Sequence, residues 1–116
     1  MTTVKIKRVY DAPHSDDGTR ILVDRLWPRG ITKEAACADM WLKEVAPSAE
    51  LRKWFGHDPK RWLQFKAKYS EELEFKKEEL SAIVRAASAG PVTLLYGARD
   101  ESHNQAVVLQ EVIGRL

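Results

Sequence analysis

Charged side chains follow directly on an apolar run near the start of the chain. Residues 21–23 are Ile-Leu-Val, and they lead into Asp24, Arg25 and a Trp-Pro-Arg-Gly turn. The run indicates a buried strand, and in open α/β sheets ligands bind beyond the carboxyl ends of the strands. Arg25 and Arg29 can hold a planar anion, because a guanidinium group offers a bidentate fork. The segment therefore predicts a ligand site beside Trp27.

The strand is predicted to extend over residues 21–26, and its alternation separates two neighbouring charges. Regular pleating places Arg25 on one face and Asp24 on the other, so both cannot point into one site while the strand stays regular. Asp24 has a leucine on each side on its own face, so we expect it to be partly buried and to need a cationic or N–H partner. One interpretation is a buried ion pair that fixes the loop. The other is that Asp24 positions an arginine that binds the ligand.

A second charged loop follows the clearest buried strand of the chain, residues 92–96. Ser102 and Gln105 have the spacing of a capping box at the start of a helix, and helix N-termini receive anions readily. A capped helix with a solvated loop explains the same residues. If this strand lies parallel and adjacent to the first, five side chains converge at one rim, namely Arg25, Arg29, Arg99, His103 and Asn104.

Three other features have the right residue types for chemistry but ordinary explanations. His57 can act as a general acid or base near neutral pH, although a polar loop accounts for it better. Cys37 has no second cysteine near it, so inert packing is favoured over a nucleophilic role. His14, Asp16 and Asp17 match no established pattern of metal ligands. The sequence therefore predicts no metal and no cofactor.

Residues 52–68 interleave basic and aromatic side chains, which superficially suits nucleic acid. Five glutamates follow within residues 71–79, so a solvated helix face over an aromatic core explains the pattern better. The first hypothesis for this chain is a protein that binds an anionic small molecule with a phosphate or carboxylate group at the site beside Trp27, with or without catalysis. A nucleic-acid-binding accessory or transcriptional regulator that uses residues 52–68 is the second hypothesis. A structural or partner-binding module is the third, and it predicts that Trp27 or Trp54 is exposed in an apolar patch.

Strands and helices must alternate along the chain to position these residues. Thr32, Ser48 and Asp58 are predicted to cap helices, and residues 39–46 are ambiguous, with a strand favoured. We therefore predict a small single α/β domain over residues 1–116, with a mainly parallel sheet of three to four strands, helices packed on it and a helical middle third. Apolar stripes at helical spacing mark that middle third: Trp62, Phe65, Tyr69 and Leu73, then Leu80, Ile83, Val84 and Ala87.

Composition excludes several classes of protein. The 116 residues are 44% hydrophobic and 31% charged, which excludes a disordered chain. A net charge of +2 is too small to argue for nucleic acid by itself. One cysteine excludes an internal disulfide, and no apolar run approaches the roughly 20 residues that span a bilayer. We expect a cytoplasmic protein without a signal peptide. The sequence is compatible with either a monomer or a homo-oligomer.

Several segments, in this order, resemble one family: residues 23–30 (Val-Asp-Arg-Leu-Trp-Pro-Arg-Gly), 41–48, 51–55, 93–96 and 103–106. They are similar to the YeaO-like bacterial proteins, a branch of domain-of-unknown-function family four-eight-eight. The resemblance implies a small α/β domain and supplies no reaction. Longer members carry a Cys-His-Arg-like motif after the last strand, where this chain has Ser102, His103 and Asn104, so a thiol mechanism does not carry over. Some members are labelled as winged-helix regulators of the MarR type, but no recognition helix followed by a β-wing is indicated here.

Overall fold

The computed structural model describes residues 4–116, and four parallel strands form the sheet in this part of the chain. Strand β1 spans Val4–Arg8, β2 spans Thr19–Leu22, β3 spans Met40–Trp41 and β4 spans Val92–Tyr96. The strand order is β1-β4-β2-β3, and every neighbouring pair is parallel. The predicted α/β fold with a mainly parallel sheet is therefore confirmed, and the carboxyl ends of the strands lie at one edge.

Five α-helices accompany the sheet in the described residues. They are α1 (Lys33–Ala36), α2 (Ala49–Phe55), α3 (Trp62–Leu73), α4 (Lys77–Ala89) and α5 (Gln105–Gly114). The predicted caps are confirmed, because Thr32 and Ser48 accept backbone N–H groups at the starts of α1 and α2. Asp58 caps a 3-10 turn, Pro59–Arg61, which leads directly into α3.

Alternate residues of the two central strands belong to two separate apolar clusters. Ile21 and Leu94 belong to the main cluster, which also contains the buried side chains of α2 to α5. Leu22 and Leu95 belong to a smaller cluster on the other side, with Val9. The predicted apolar stripes supply the buried side of α3 and α4 through Phe65, Tyr69, Leu73, Leu80, Ile83 and Ala87.

Strand β2 ends at Leu22, whereas the sequence predicts an end at Leu26. Beyond it, the N–H of Gly97 donates to a side-chain oxygen of Asp24 at 2.9 Å instead of extending the ladder between β2 and β4. A side chain that takes up a backbone donor competes with regular structure. The alternation therefore does not reach Asp24 and Arg25, and both line the same cleft, which a regular strand would not allow.

Residues 39–46 form a strand over only two positions. Strand β3 pairs with β2 through Ile21 beside Met40 and Leu22 beside Trp41. Because β2 ends at Leu22, there is no partner for a longer strand, and the chain turns into a 3-10 helix over Lys43–Val45. The strand favoured by the sequence is thus correct for a short segment and wrong for the rest.

Helix α5 is capped by Asn104 and not by Ser102. The Oδ1 atom of Asn104 accepts the N–H of Val107 at 3.2 Å, and its Nδ2 atom donates to the Asp100 carbonyl at 2.9 Å. The carboxylate of Asp100 accepts the N–H groups of Ser102 and His103, so these residues form a turn before the helix begins. The capping-box prediction placed the start of the helix two residues too early because it did not include this turn.

Replacing Gly18 with alanine should destabilise the protein. Gly18 has φ +65, and a Cβ atom there would lie 2.1 Å from the Pro91 carbonyl oxygen, which accepts the Thr19 N–H. We expect Gly18→Ala to lower the free energy of unfolding by about 2 kcal/mol or more in urea titrations. Gly114→Ala is the control, because a Cβ atom there meets nothing within 4 Å and alanine favours the helix. Equal stability of the two variants would contradict the close approach.

Replacing Asn104 with alanine tests the revised cap of α5. The variant loses the bond to the Val107 N–H, which should cost about 1–2 kcal/mol of unfolding free energy. Ser102→Ala should change that free energy by less than about 0.5 kcal/mol, because the Ser102 side chain makes no capping bond among the described residues. If Ser102→Ala proves as costly as Asn104→Ala, the cap is misassigned.

Candidate functional site

A cleft of about 1000 Å³ opens beyond the carboxyl ends of the strands. Loops that follow β1, β2 and β4 form its wall, together with the end of α2 and the start of α5. Because β2 and β4 are adjacent and parallel, their loops leave the sheet at the same edge. All of the ligand contacts predicted from the sequence line this cleft: Asp24, Arg25, Trp27, Arg29, Arg99, His103 and Asn104.

Positive charge dominates the lining of this cleft. One carboxylate, Asp24, belongs to the lining contributed by residues 4–116. A concave surface lined by one sign of charge focuses the potential and attracts ligands of the opposite sign. The cationic side chains that face this carboxylate in the lining are Arg8, Arg25, Arg29, Arg52, Lys53 and Arg99.

Two of these arginines brace the walls of the cleft. Arg25 donates through Nη2 to the Ala46 carbonyl at 3.1 Å and through Nε to the Pro47 carbonyl at 3.4 Å. Arg8 donates through Nε to the Ala98 carbonyl at 2.9 Å. Arg25 is therefore less free for a ligand than its place in the sequence indicates, because part of its fork already holds the backbone.

The other four cations have donors to spare. Arg29, Lys53 and Arg99 are exposed, and their side chains make no hydrogen bond or ion pair within residues 4–116. Arg52 is partly buried, and its Nε atom is buried without a partner in the described part of the chain. Buried polar groups in proteins are nearly always hydrogen-bonded. The Nε donor of Arg52 is therefore unsatisfied by the described residues, while the side chain itself contributes to the lining of the cleft.

Asp24 is held by neutral donors. Its Oδ2 atom accepts the N–H of Gly97 at 2.9 Å, and its Oδ1 atom accepts an N–H of the Gln105 side-chain amide. No Lys, Arg or His side chain among residues 4–116 lies within 4.0 Å of it, so the expected N–H partner is present and the expected ion pair is not. Burial raises the pKa of Asp24 to about 6, against the opposing effect of the two bonds and of Arg52.

His103 forms a pair with Asp100 at the start of α5. Its Nδ1 atom lies 2.9 Å from Oδ2 of Asp100, and its ring meets Trp62 edge-on with centroids 5.2 Å apart. The N–H of Ser102 and the bond to His103 lower the pKa of Asp100. The pair fixes the orientation of the imidazole, and an imidazole held in this way can bind an anion or move a proton.

The remaining reactive side chains have little support as a site. His57 lies at the rim of the cleft, exposed and with φ 56. Cys37 is exposed, so the packing expected from the sequence is wrong, and its Sγ atom lies 3.0 Å from the Glu34 carbonyl.

Within residues 4–116 no three His, Cys, Asp or Glu side chains are grouped to hold a metal ion. The same residues contain no helix long and apolar enough to cross a membrane.

The basic-aromatic stretch at residues 52–68 does not form one continuous face. Its first two cations, Arg52 and Lys53, line the cleft. Farther along, Arg61 and Lys68 lie over the ring of Trp54, at 5.2 Å and 5.5 Å from its centroid. Nucleic acid held on a stacking surface needs aromatic rings with free faces. The Trp54 ring is already in contact with these two cations.

The two tryptophans that would mark a partner-binding module are partly buried. Trp27 donates its indole N–H to the Ile31 carbonyl at 2.8 Å and meets Trp41 edge-on. The most exposed large apolar side chains are Phe75, at 90%, and Leu63, at 77%. Neither belongs to the lining of the cleft, whereas Leu26, which is 68% exposed, does, so the exposed apolar residues are divided between the cleft and the rest of the described surface.

Sequence reasoning missed several residues of the cleft. Arg8 is the last residue of β1, at the sheet edge where Asp24 follows β2, so the parallel sheet predicted from the sequence was a sufficient signal for it. Arg52 and Lys53 were interpreted as part of a solvated helix face, with a nucleic-acid face as the alternative, and Gly56, which ends α2, was the signal that they lie at a helix end near a loop. Gln105 was seen only as half of a capping box.

The raised pKa of Asp24 gives a pH dependence that can be measured. An aspartate in the unfolded chain ionises near 3.8, whereas folded Asp24 ionises near 6, so the folded state binds more protons between these values. Stability should therefore rise as the pH falls from about 7 to about 4. We expect this gain, roughly 1–3 kcal/mol in urea titrations, to be absent in Asp24→Asn. Parallel curves for the two proteins would contradict it.

Comparisons with known proteins agree on one family. Residues 3–115 match the family model DUF488-N3i, described as the inactive DUF488-N3 subclade. The uncharacterized protein YeaO of Escherichia coli K12 is 44% identical over 108 residues, which are 93% of this chain and 94% of that protein. The uncharacterized protein Rv3073c of Mycobacterium tuberculosis H37Rv is 38% identical over 112 residues, 97% of this chain and 94% of that protein.

No solved structure matches the chain significantly. The family assignment therefore rests on sequence, and it agrees with the resemblance carried by the segment at residues 23–30, which supplies Asp24, Arg25, Trp27 and Arg29 to the cleft. The chain belongs to the YeaO-like DUF488 family, in the subclade described as inactive.

Proposed function

We propose that this protein binds a small anion, one that carries a phosphate or carboxylate group, in the cleft beyond the carboxyl ends of the strands. The observation that carries the proposal is the charge of the lining, where six cationic side chains face one carboxylate. That carboxylate, Asp24, is already bonded to two N–H donors. The cations therefore have no acidic partner in the cleft, and an anion from solution is the group that would neutralise them.

The proposed contacts divide between two groups of side chains. Arg29, Lys53 and Arg99 are exposed and unbonded, and they would meet the anion first, while Arg52 would bond it at the inner end. A guanidinium group matches a phosphate or carboxylate in a bidentate way, which a lysine cannot do. The remaining predicted residues would shape the walls: Arg25 and Asn104 through their backbone contacts, and Trp27 and His103 through their rings.

We infer binding without turnover. The family to which the chain belongs is described as inactive. A thiol nucleophile would have to be Cys37, the one cysteine in the sequence, and it does not belong to the cleft. The pair of His103 and Asp100 can still exchange a proton, so an enzyme is the alternative that product analysis would detect. A cytoplasmic location stays part of the proposal.

Sulfate tests the proposal, because it is a tetrahedral anion that also stabilises proteins without specific binding. Wild-type protein should gain a few degrees of melting temperature in sulfate over chloride at equal ionic strength. Arg29→Ala and Arg99→Ala should each lose most of this gain, because each removes one of the unbonded cations. The measurement is thermal unfolding followed by circular dichroism across a sulfate titration.

Arg85→Ala is the matched control for charge. Arg85 is exposed on α4 and does not belong to the lining of the cleft. This variant loses one positive charge, as the others do, and should keep the whole sulfate effect. If all three variants and the wild type gain equally, the effect is non-specific exclusion of sulfate and the proposed anion site is wrong.

A further inference from the structure

One carboxylate in a cleft lined by cations needs an explanation. Asp24 makes no ion pair within 4.0 Å among residues 4–116, although Arg52 is near enough to lower its pKa. Each of its two oxygens accepts one neutral N–H. A carboxylate has about four acceptor positions, so each oxygen has capacity for another donor. For a ligand that is anionic throughout, this carboxylate would be a repulsive element.

The Gln105 side chain adds to the hydrogen-bonding capacity beside Asp24. Its amide nitrogen donates to Asp24, which fixes the amide, and its carbonyl oxygen has no partner among the described residues. Gln105 lines the cleft. The carboxylate and this amide carbonyl therefore present fixed acceptors side by side, and such a pair suits a ligand that carries N–H donors on a rigid framework.

Apolar side chains supply a surface for such a framework. Trp27, Leu26, Pro28, Pro47 and Phe55 all belong to the lining. Leu26 is 68% exposed, so a ligand would cover an apolar side chain that solvent now reaches. A volume of about 1000 Å³ is also far more than one phosphate group needs. The cleft therefore fits a ligand with an anionic end and a flat, partly apolar end.

We propose that the ligand is a nucleotide, in which a planar nitrogen heterocycle donates N–H groups to Asp24 while its phosphate meets Arg29, Arg99 and Lys53. This inference rests on the proposed anion site and adds the chemical class of the ligand. The same chemistry occurs in a free nucleotide and at the phosphorylated end of a nucleic-acid strand. The heterocycle supplies N–H donors that make Asp24 favourable rather than repulsive, and a flat face for the apolar side chains of the lining; a sugar phosphate offers hydroxyl donors but no such face.

Isothermal titration calorimetry on the full chain tests the anion site and the preference for a nucleotide separately. The probes are inorganic phosphate, ribose 5-phosphate, AMP, GMP, CMP and UMP. We expect at least one nucleotide to bind about tenfold or more tightly than ribose 5-phosphate, because of the added bonds and stacking. If ribose 5-phosphate binds as tightly as every nucleotide, the anion site stands and the nucleotide inference is overturned. If no probe binds, both fall.

Asp24→Asn gives a result that a merely structural role would not. We expect the advantage of the nucleotide over ribose 5-phosphate to drop to less than about threefold, while ribose 5-phosphate itself binds as well as before or better, because a repulsive charge is gone. If Asp24 only holds the loops, the variant should weaken all probes by the same factor, and that outcome overturns the inference.

A second variant keeps the test valid if Asp24→Asn does not fold. Gln105→Leu removes the amide but leaves the bond between Asp24 and the Gly97 N–H. It should reduce the advantage of the nucleotide over ribose 5-phosphate. Gln110→Leu should not, because Gln110, on the same helix as Gln105, donates to the Val4 carbonyl of β1 and does not line the cleft. An unchanged advantage in Gln105→Leu counts against the inference.

The source of the nucleotide is resolved by one further titration. A single-stranded oligonucleotide with a 5′-phosphate is compared with the best mononucleotide at low and physiological salt. Tighter binding of the oligonucleotide with a steep salt dependence assigns the ligand to a strand end, since more phosphates are then neutralised. Tighter binding of the mononucleotide shows that the ligand is a free nucleotide. Either result supports nucleotide chemistry, and failure of both to exceed ribose 5-phosphate overturns it.

Discussion

The carboxylate of Asp24 is the interaction on which the cleft depends. It follows β2, and it is bonded to the backbone of Gly97, which follows β4, and to Gln105 at the start of α5. The segment after β2 is thereby fixed to two segments that lie more than 70 residues farther along the chain. A Cβ atom at position 97 would lie 2.8 Å from Asp24 Oδ2, so a side chain there would displace the carboxylate from its bonds. Burying a carboxyl group is unfavourable, and the raised pKa is the measure of that cost.

The cations of the cleft therefore fall into two groups, those bonded to the backbone and those with unbonded donors. Arg8 and Arg25 donate to backbone carbonyls of other segments and so connect the walls of the cleft. Their charge still contributes to the potential of the cleft, but their donors are partly used. The unbonded donors belong to residues at the rim and to Arg52, whose Nε atom is buried. Charge alone therefore does not identify the ligand contacts, and hydrogen bonds already made within the protein decide which cations are available.

The sequence predicted the sheet, most of the helix caps and the place where charged residues gather. These features depend on local pattern and on one rule about parallel sheets, and both can be applied without coordinates. It did not predict that β2 ends at Leu22, because that end depends on Asp24 taking the N–H of a residue far along the chain. The assignment of Arg52 failed for the same reason. The other residues that line the cleft come from loops far away in the sequence, and a linear pattern of basic and aromatic residues cannot show this.

The position of β4 between β1 and β2 has a consequence for how the protein is made. The first two strands of the chain are not neighbours, and each pairs with a strand that ends at Tyr96. On the ribosome, β1 has no partner strand and β2 has only the short β3 until residues 92–96 have emerged, and synthesis proceeds N-terminus first. Contacts of the middle helices, such as that of the Tyr69 hydroxyl with the Val45 carbonyl, can form in that interval, whereas the pairing with β4 is nonlocal and slow. Gly97 follows directly on the strand that completes the sheet, so the sheet and the cleft form in the same step.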